Sequence, residues 1–268
     1  MDAPPQSLFS RRFGSGPRQI LGLHCTIAHS GAWRGLAGLM QDQTTLVTPD
    51  MLSHGRSPDW DGQGDFLDRM VQAVAPLLTQ PMDLVGHSFG AVVALRLAAE
   101  MPDRVRSLTM IEPVFFAVAA RDDPTAMARH TRTMAPVTAA FETGDDALAA
   151  RLFNRRWGGG APRWPDLSEP ARAAMIRGIH VVPSSNAALL GDHSGLLRPG
   201  ALDRVRMPVL LLRGSESDPI VKVIHDGLAH RLPQAQCRVV PGAGHMLPIT
   251  HPDAAADHLR AFFTAAAA

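Results

Sequence analysis

The chain alternates short apolar runs with segments of helical character, and this alternation limits its fold more than any other feature. Most runs are apolar at consecutive residues rather than at every second one, which is typical of parallel strands buried on both faces. Phe66 to Leu78 repeats apolar residues at a helical period, and Gly90 to Glu100 is rich in alanine. We therefore predict an α/β fold with a mostly parallel sheet and helices on both faces. The runs interpreted as strands are Gln19–His24, Thr44–Pro49, Met82–Gly86, Val105–Glu112, Val209–Arg213 and Gln236–Val240.

The regular alternation stops between about Pro113 and Gly200. This stretch has alanine-rich helical pieces and no apolar run as long as the predicted strands. Single crossover connections are short, so we expect an inserted helical cap; the alternative is a set of ordinary crossover helices. The prediction is a core domain made of residues 1–112 and 201–268, with a helical cap at residues 113–200.

Composition limits the partners of the protein. The 268 residues are 46% hydrophobic, enough for one core with a smaller insert. A net charge of +1 creates no broad field for nucleic acid or an anionic membrane. No run of about 18 apolar residues is present, and Met1 to Pro5 lacks the charged-then-apolar order of a secretory signal. We expect a cytoplasmic protein, monomeric or homodimeric, with no nucleic-acid or membrane partner.

The cysteines and histidines give no sign of a metal site. Cys25 and Cys237 are far apart and form no CxxC pair, so free thiols in a reducing compartment are expected. The twelve histidines include no HExxH motif and no Cys/His cluster at zinc spacing. We predict no metal.

The segment Gly86-His-Ser-Phe-Gly90 has the G-x-S-x-G pattern of a nucleophile elbow. A predicted strand precedes it and a predicted helix follows it, as the motif requires. A serine on such a sharp turn has strained backbone angles and needs small neighbours, which Gly86 and Gly90 provide. Ser88 is the candidate nucleophile, and the N–H of Phe89 could donate to a developing oxyanion. The alternative is a glycine-rich turn with a capping serine.

A serine nucleophile requires an adjacent base. The loop Pro241-Gly-Ala-Gly-His245 follows the last predicted strand, and its glycines could bring His245 back over the sheet edge. His245 also comes late in the chain, as the order Ser, acid, His requires. His251 is a competitor, but its Thr-His-Pro setting resembles a helix start.

The base in turn needs a carboxylate that orients it. Asp218 is our first candidate, because it ends a short turn directly after the strand at Val209 to Arg213. Glu216 in the same turn and Glu112 at the end of another strand remain alternatives. A hydrogen bond to the histidine ring would decide between them.

Five segments together resemble the α/β-hydrolase superfamily, of the kind that carries a helical cap. The resemblance covers most of the chain except the cap. These segments are Leu23-His24, the loop Asp50-Met-Leu-Ser-His-Gly-Arg-Ser57, the elbow Gly86–Gly90, Met207-Pro-Val-Leu-Leu-Leu-Arg-Gly214 and the histidine loop Gly242-Ala-Gly-His245.

The resemblance implies an eight-stranded, mostly parallel sheet, a triad of Ser88, Asp218 and His245, and no cofactor. It also implies that Thr26, in the loop after His24, supplies the second oxyanion N–H. Cys25 stands where the family usually has glycine, and its β-carbon could redirect that loop. A serine nucleophile disfavours the haloalkane dehalogenases and epoxide hydrolases of the family, which use aspartate.

The expected activity is carboxylesterase-like hydrolysis of a small acyl substrate through an acyl-enzyme. A lactonase or a carbon–carbon bond hydrolase could use the same triad. An alternative of another class is a ligand-binding module with little turnover. Arginines of the cap, including Arg151, Arg155 and Arg156, are expected on a solvated face. Candidate residues of an apolar pocket between sheet and cap are Phe115, Trp157 and Met246, followed by Phe116, Phe141 and Trp164.

Overall fold

A computed structural model of the protein describes residues 7–159 and 162–266. Its centre is a sheet of seven strands in the order β1-β3-β2-β4-β5-β6-β7. The strands are β1 (Ser10–Phe13), β2 (Arg18–Leu23), β3 (Thr44–Pro49), β4 (Met82–His87), β5 (Val105–Ile111), β6 (Val209–Gly214) and β7 (Ala235–Val240). The predicted α/β class with a mostly parallel sheet is confirmed.

The sheet has seven strands among the described residues, not the eight that the family resemblance implied. Strand β1 pairs with β3 in antiparallel register, with Ser10 opposite Pro49, and all other pairs are parallel. The short turn after Phe13 leads directly into β2. Residues 7–9, the described residues before β1, form no strand.

The central strands are apolar at consecutive positions because each of their faces is covered. In β4, Leu84 packs into one core cluster and Val85 into the other. In β6, Leu211 and Leu212 divide in the same way. This follows from the period of two in a strand, and each leucine so buried contributes on the order of 1.5–3 kcal/mol.

Helices cover both faces of the sheet. Residues of α1 and α12 join one core cluster, while residues of α2, α3 and α10 join the other. The α-helices are α1 (Arg34–Met40), α2 (Phe66–Val74), α3 (Phe89–Glu100), α4 (Phe116–Asp122), α5 (Pro124–Glu142), α6 (Asp146–Trp157), α7 (Glu169–Ile179), α8 (Val181–Ser184), α9 (Asn186–Leu189), α10 (Pro219–Arg231), α11 (Leu247–Thr250) and α12 (Pro252–Ala265). Short 3₁₀ turns are Ser30–Trp33, Ala75–Leu77, Pro102–Arg104, Trp164–Asp166 and Leu202–Arg204.

The segment between β5 and β6, residues 113–200, is hereafter the cap segment. Its described residues form α4 to α9 and no strand. Asp123 and Asp145 begin α5 and α6 by accepting the Ala126 and Leu148 N–H groups. The helices α5, α6 and α7 pack side by side. The prediction that this segment is a separate cap domain stays a prediction.

Within residues 7–159 and 162–266, no helix is both long and apolar enough to cross a membrane. The N-terminal residues Met1 to Pro5, which informed the predicted location, lie outside the described residues.

Candidate active site

Ser88 stands on the turn between β4 and α3. Its φ of 57° and ψ of −117° lie in a region that is sparsely populated for a residue with a side chain. A β-carbon at Gly86 would collide with the backbone of Gly90 and Ala91, and one at Gly90 would collide with the backbone carbonyl of Leu23. The two glycines therefore permit a turn that packs directly against the neighbouring strand.

The side chain of Ser88 is hydrogen-bonded to His245. The Ser88 Oγ lies 2.9 Å from His245 Nε2, and both residues are buried. His245 occupies the loop between β7 and α11, as the glycine-rich sequence before it predicted. The buried His87 contacts it as well, because His87 Nε2 lies 2.7 Å from the His245 carbonyl oxygen. Since a carbonyl can only accept, the His87 Nε2 carries the proton and donates.

The carboxylate beside the imidazole belongs to Glu112. Its Oε2 lies 3.2 Å from His245 Nδ1, and the side chain is fully buried. Its Oε1 accepts from the Gly214 N–H at 2.6 Å and from the Ser217 hydroxyl at 2.5 Å. Glu112 has a positive φ of 53° directly after β5. Each oxygen of the Glu112 carboxylate therefore has a hydrogen-bond partner. The residue adopts this position with a strained backbone conformation.

Asp218, our first candidate for this position, is engaged elsewhere. Its Oδ1 accepts from the Ile220 N–H at 3.0 Å and so caps α10. Its Oδ2 forms an ion pair with Arg156 of the cap segment. The expected contact between Asp218 and His245 is therefore wrong, and Glu112, the alternative at the end of β5, has it. Glu216, the other alternative, is exposed.

Adjacent strand ends explain why the sequence allowed both carboxylates. Strands β5 and β6 are parallel neighbours, so the residues after them meet at the same sheet edge. Glu112 follows β5 and Asp218 lies in the turn that follows β6. Which carboxylate reaches the histidine depends on the geometry of the turn after β6. In this structure the Gly214 N–H at the end of β6 and the Ser217 hydroxyl in that turn both donate hydrogen bonds to Glu112.

Two backbone N–H groups are the candidate oxyanion donors. Phe89 is the first residue of α3, so its N–H has no partner within the helix. Thr26, in the loop after β2, shares the lining of the same cavities as Ser88. Both expected donors therefore belong to elements beside the serine, and their function stays a prediction.

The loop that carries Thr26 is fixed by two buried histidines. His24 Nδ1 lies 2.8 Å from the Cys25 carbonyl oxygen, and its Nε2 accepts the Met51 N–H at 2.9 Å. His54 Nε2 accepts the Ile27 N–H at 3.0 Å. Ile27 has a φ of 55°, which is unfavourable for a β-branched residue. The hydrogen bond from Ile27 therefore helps to hold a strained backbone next to Thr26.

Both of these histidines are neutral. Burial lowers the pKa of His24 to about 4 and that of His54 to about 3. Their roles were not predicted, although both lie in segments that carried the family resemblance. Cys25 is buried beside them, and burial raises the pKa of its thiol to about 12. It therefore stays a thiol at neutral pH.

Two cavities meet at Ser88. The larger has a volume of about 540 Å³ and extends beneath the cap segment, and the smaller has a volume of about 290 Å³. Thr26, Ser88, Phe153 and Trp157 line both of them. Neither lysine nor arginine belongs to the described lining of either cavity. A molecule with two apolar arms could therefore place one arm in each cavity next to Ser88.

Of the six predicted pocket residues, four line one or both of these cavities and two line neither. Trp157 lines both cavities, Met246 lines the smaller one, and Phe116 and Phe141 line the larger one. Phe115 does not line either cavity: it is fully buried in the main core cluster. The neighbouring Phe116 begins α4 and reaches the cavity instead. Trp164 packs in a small cluster within the cap segment.

A model of the alpha/beta hydrolase family matches residues 20–258. The chain belongs to the alpha/beta hydrolase family. No group of three or more metal-ligating side chains is present among residues 7–159 and 162–266 of this alpha/beta hydrolase.

This alpha/beta hydrolase has curated relatives named as esterases and lipases. It is 28% identical over 241 residues to the pimeloyl-[acyl-carrier protein] methyl ester esterase of Nitrosomonas europaea, covering 90% of this chain and 93% of that protein. It is 40% identical over 111 residues to lipase LipV of Mycobacterium tuberculosis, covering 40% of this chain and 41% of LipV. The second match spans less than half of either protein.

Solved structures share the fold. An alpha/beta hydrolase from Sphaerobacter thermophilus superposes on this chain with a TM-score of 0.71 at 23% identity. The superposition covers 97% of this chain and 98% of that one. At this identity the likeness shows the fold alone.

Proposed function

We propose that this alpha/beta hydrolase cleaves small carboxylic esters through an acyl-enzyme, with Ser88 as nucleophile, His245 as base and Glu112 as the acid that orients the base. The observation that carries the proposal is the buried hydrogen-bonded series Ser88 Oγ, His245 Nε2, His245 Nδ1 and Glu112 Oε2. This series has the order of contacts that activates a serine hydroxyl.

In the first step, Ser88 Oγ attacks the ester carbonyl carbon while His245 Nε2 takes the hydroxyl proton. The negative charge that develops on the carbonyl oxygen is stabilised by the N–H groups of Phe89 and Thr26. Glu112 stabilises the positive imidazolium, which is otherwise unfavourable at a buried position. The tetrahedral intermediate then expels the alcohol, which takes the proton from His245, and the acyl group remains on Ser88.

In the second step, a water molecule attacks the acyl-enzyme. His245 removes the proton of that water and then returns it to Ser88 Oγ as the carboxylic acid leaves. The same N–H groups stabilise the second oxyanion. Water is the only co-reactant, so this chemistry requires no cofactor.

Two cavities that share Ser88 in their lining support a substrate with two arms. We assign the acyl arm to the larger cavity and the alcohol arm to the smaller one, because about 540 Å³ and about 290 Å³ suit a medium-length acyl chain and a short alcohol. Lactones and carbon–carbon substrates would use the same three residues, so activity measurements must separate these substrate classes.

The decisive experiment is hydrolysis of p-nitrophenyl esters from acetate to decanoate by the wild type and by Ser88→Ala. We expect turnover with an optimum at medium chain length and a loss of at least about 10³-fold in kcat in the variant. Circular dichroism of both proteins provides the control for folding. Labelling by a fluorophosphonate, present in the wild type and absent in Ser88→Ala, reports activation of the serine independently of the substrate.

Three outcomes would change the proposal. Turnover that persists in Ser88→Ala would refute the role of Ser88. Fluorophosphonate labelling without hydrolysis of any ester would favour a lactone or carbon–carbon substrate. Neither labelling nor hydrolysis in a folded protein would favour the ligand-binding module.

A further inference from the structure

His130 is a buried histidine in the wall of the larger cavity that no step of the proposed reaction uses. It belongs to α5, and only 6% of its surface is exposed. Its Nδ1 is enclosed and has no hydrogen-bond partner among residues 7–159 and 162–266, and its Nε2 forms no hydrogen bond within that part of the chain either. Because Nδ1 is enclosed, Nε2 is the ring nitrogen that a molecule in the cavity can reach.

The other buried histidines outside the proposed triad all have hydrogen-bond partners. His24, His54 and His87 bind backbone groups, and His225 Nε2 lies 3.2 Å from the Leu211 carbonyl oxygen. Even the half-buried His180, which lines the same cavity, contacts Ser53 and the Arg177 carbonyl. His225 Nδ1 is also enclosed without a hydrogen bond, but among the buried histidines of residues 7–159 and 162–266 only His130 lacks a hydrogen bond at both ring nitrogens.

Aromatic side chains pack around the ring of His130 in the cavity that Ser88 also lines. Phe116 stacks on it with a centroid separation of 4.7 Å and an interplanar angle of 23°. Trp157 contacts it at 5.8 Å and contacts His245 at 4.6 Å. One aromatic ring thus separates His130 from the base, and His130 and Ser88 line the same cavity.

The electrostatics of this wall favour an uncharged group. Burial, with a contribution from the nearby Arg156, lowers the pKa of His130 to about 4, so the ring is neutral at pH 7 and carries one N–H donor. The described lining of the larger cavity contains neither lysine nor arginine, and it includes the carboxylates of Glu142 and Asp146. Arg156 lies near this wall but is paired with Asp218, so the described lining offers a substrate carboxylate no cationic partner.

We propose that His130 is a specificity-determining residue, whose imidazole Nε2–H donates a hydrogen bond to an uncharged keto or hydroxyl oxygen along the acyl chain of the substrate. The inference rests on the proposed ester hydrolysis and names the class of acyl group: a chain that is apolar except for one neutral oxygen. An unsubstituted chain would leave the Nε2–H unpaired, and this difference creates discrimination.

The test compares p-nitrophenyl 4-oxopentanoate, 5-oxohexanoate and 6-oxoheptanoate with the unsubstituted esters of the same chain length. We expect kcat/KM to favour at least one oxo ester by about 2- to 13-fold in the wild type, the range of one hydrogen bond. His130→Phe keeps the aromatic stack and should bring this ratio to about 1. His130→Gln keeps an N–H donor and should retain part of the preference.

Thr131→Val is the matched control, because Thr131 is adjacent in α5 and also lines the cavity, but its hydroxyl bonds to the Met127 carbonyl. It should leave the oxo-to-alkyl ratio unchanged. A wild-type ratio near 1 at all three chain lengths, or a ratio that His130→Phe leaves intact, would overturn the inference.

A binding measurement separates this inference from the proposed function. Calorimetry on Ser88→Ala with ethyl 5-oxohexanoate and ethyl hexanoate requires no turnover. We expect tighter binding of the oxo ester and loss of that difference in Ser88→Ala/His130→Phe. A preference in binding without any wild-type ester hydrolysis would sink the proposed function alone. Ester hydrolysis without a preference in either measurement would sink the inference alone.

Discussion

Glu112 Oε2 lies 3.2 Å from His245 Nδ1, while the other oxygen of the same carboxylate is bound by the Gly214 N–H and the Ser217 hydroxyl. The carboxylate therefore connects the ends of β5 and β6 to the histidine loop. Because an ionised carboxylate can only accept, His245 Nδ1 carries a proton and Nε2 is free to accept the proton of Ser88.

Glu112→Gln should reverse this arrangement. If the amide oxygen keeps the Gly214 and Ser217 hydrogen bonds, its NH₂ faces Nδ1 and favours the tautomer with the proton on Nε2. We expect kcat to fall by about 10³- to 10⁴-fold with little change in KM. Asp218→Asn is the matched control and should change kcat by less than about tenfold. Equal losses in the two variants would contradict the assignment of Glu112.

His54→Phe tests the support of the Thr26 loop. The variant removes the acceptor of the Ile27 N–H and leaves Ile27 in a strained conformation without its partner. We expect kcat to fall by about 10- to 100-fold, because a displaced oxyanion donor weakens transition-state binding more than substrate binding. KM should change by less than about threefold.

The control for His54→Phe is His230→Phe, at an exposed position on α10. It should leave both constants unchanged. A rise in KM with unchanged kcat in His54→Phe would show that His54 supports the cavity rather than the oxyanion donor.

The buried histidines should make the protein less stable below pH 6.5. Burial lowers the pKa of His24 to about 4, and those of His54 and His87 to about 3, from an ordinary value of 6.5. Between these values the unfolded chain binds protons that the folded chain does not, so the free energy of unfolding falls as the pH falls. The loss is on the order of 2 kcal/mol for each such histidine by pH 5.

Urea denaturation at pH 7.5, 6.0 and 5.0 measures this loss. We expect a progressive decrease in the denaturation midpoint, and a smaller decrease in His54→Gln than in wild type. A midpoint that stays constant from pH 7.5 to 5.0 would mean that these histidines are protonated in the folded protein.

Asp83 is a buried carboxylate near the N-terminal end of β4, the end of the strand away from Ser88. It is fully buried and accepts hydrogen bonds from Arg18, Arg106 and Ser107. Burial alone would raise the pKa of Asp83, but the hydrogen bonds from Arg106, Arg18 and Ser107 outweigh it and hold the pKa below 3.8. The resulting stabilisation is present above about pH 4 and is lost as the pH falls through the folded-state pKa.

Asp83→Asn should lower the free energy of unfolding by about 3–5 kcal/mol at pH 7, because it leaves two arginines around a neutral side chain. Asp257→Asn, which breaks an exposed ion pair with Arg260, should cost less than about 1 kcal/mol. Urea denaturation of the two variants at pH 7 checks this difference, and comparable losses in both would contradict it.

The sequence by itself determined the features that depend on local spacing. Consecutive apolar residues in β4 and β6 require a sheet covered on both faces, and their alternating side chains do pack on both sides. Gly86 and Gly90 indicated the sharp turn at Ser88, and the glycines before His245 indicated a loop that could reach it. The strand faces, the turn at Ser88 and the loop before His245 all depend on residues close in sequence or on neighbouring strands.

Only the tertiary structure decided which side chains meet across the sheet edge and beneath the cap segment. Asp218 and Glu112 both follow parallel neighbouring strands, and the choice between them depends on the path of a turn rather than on spacing. The unpartnered state of His130 likewise depends on packing between α5, α6 and α4, which no periodicity encodes. The apolar pattern of a strand or helix determines which of its faces is buried. The contacts of a single side chain also depend on how elements distant in sequence are positioned relative to one another.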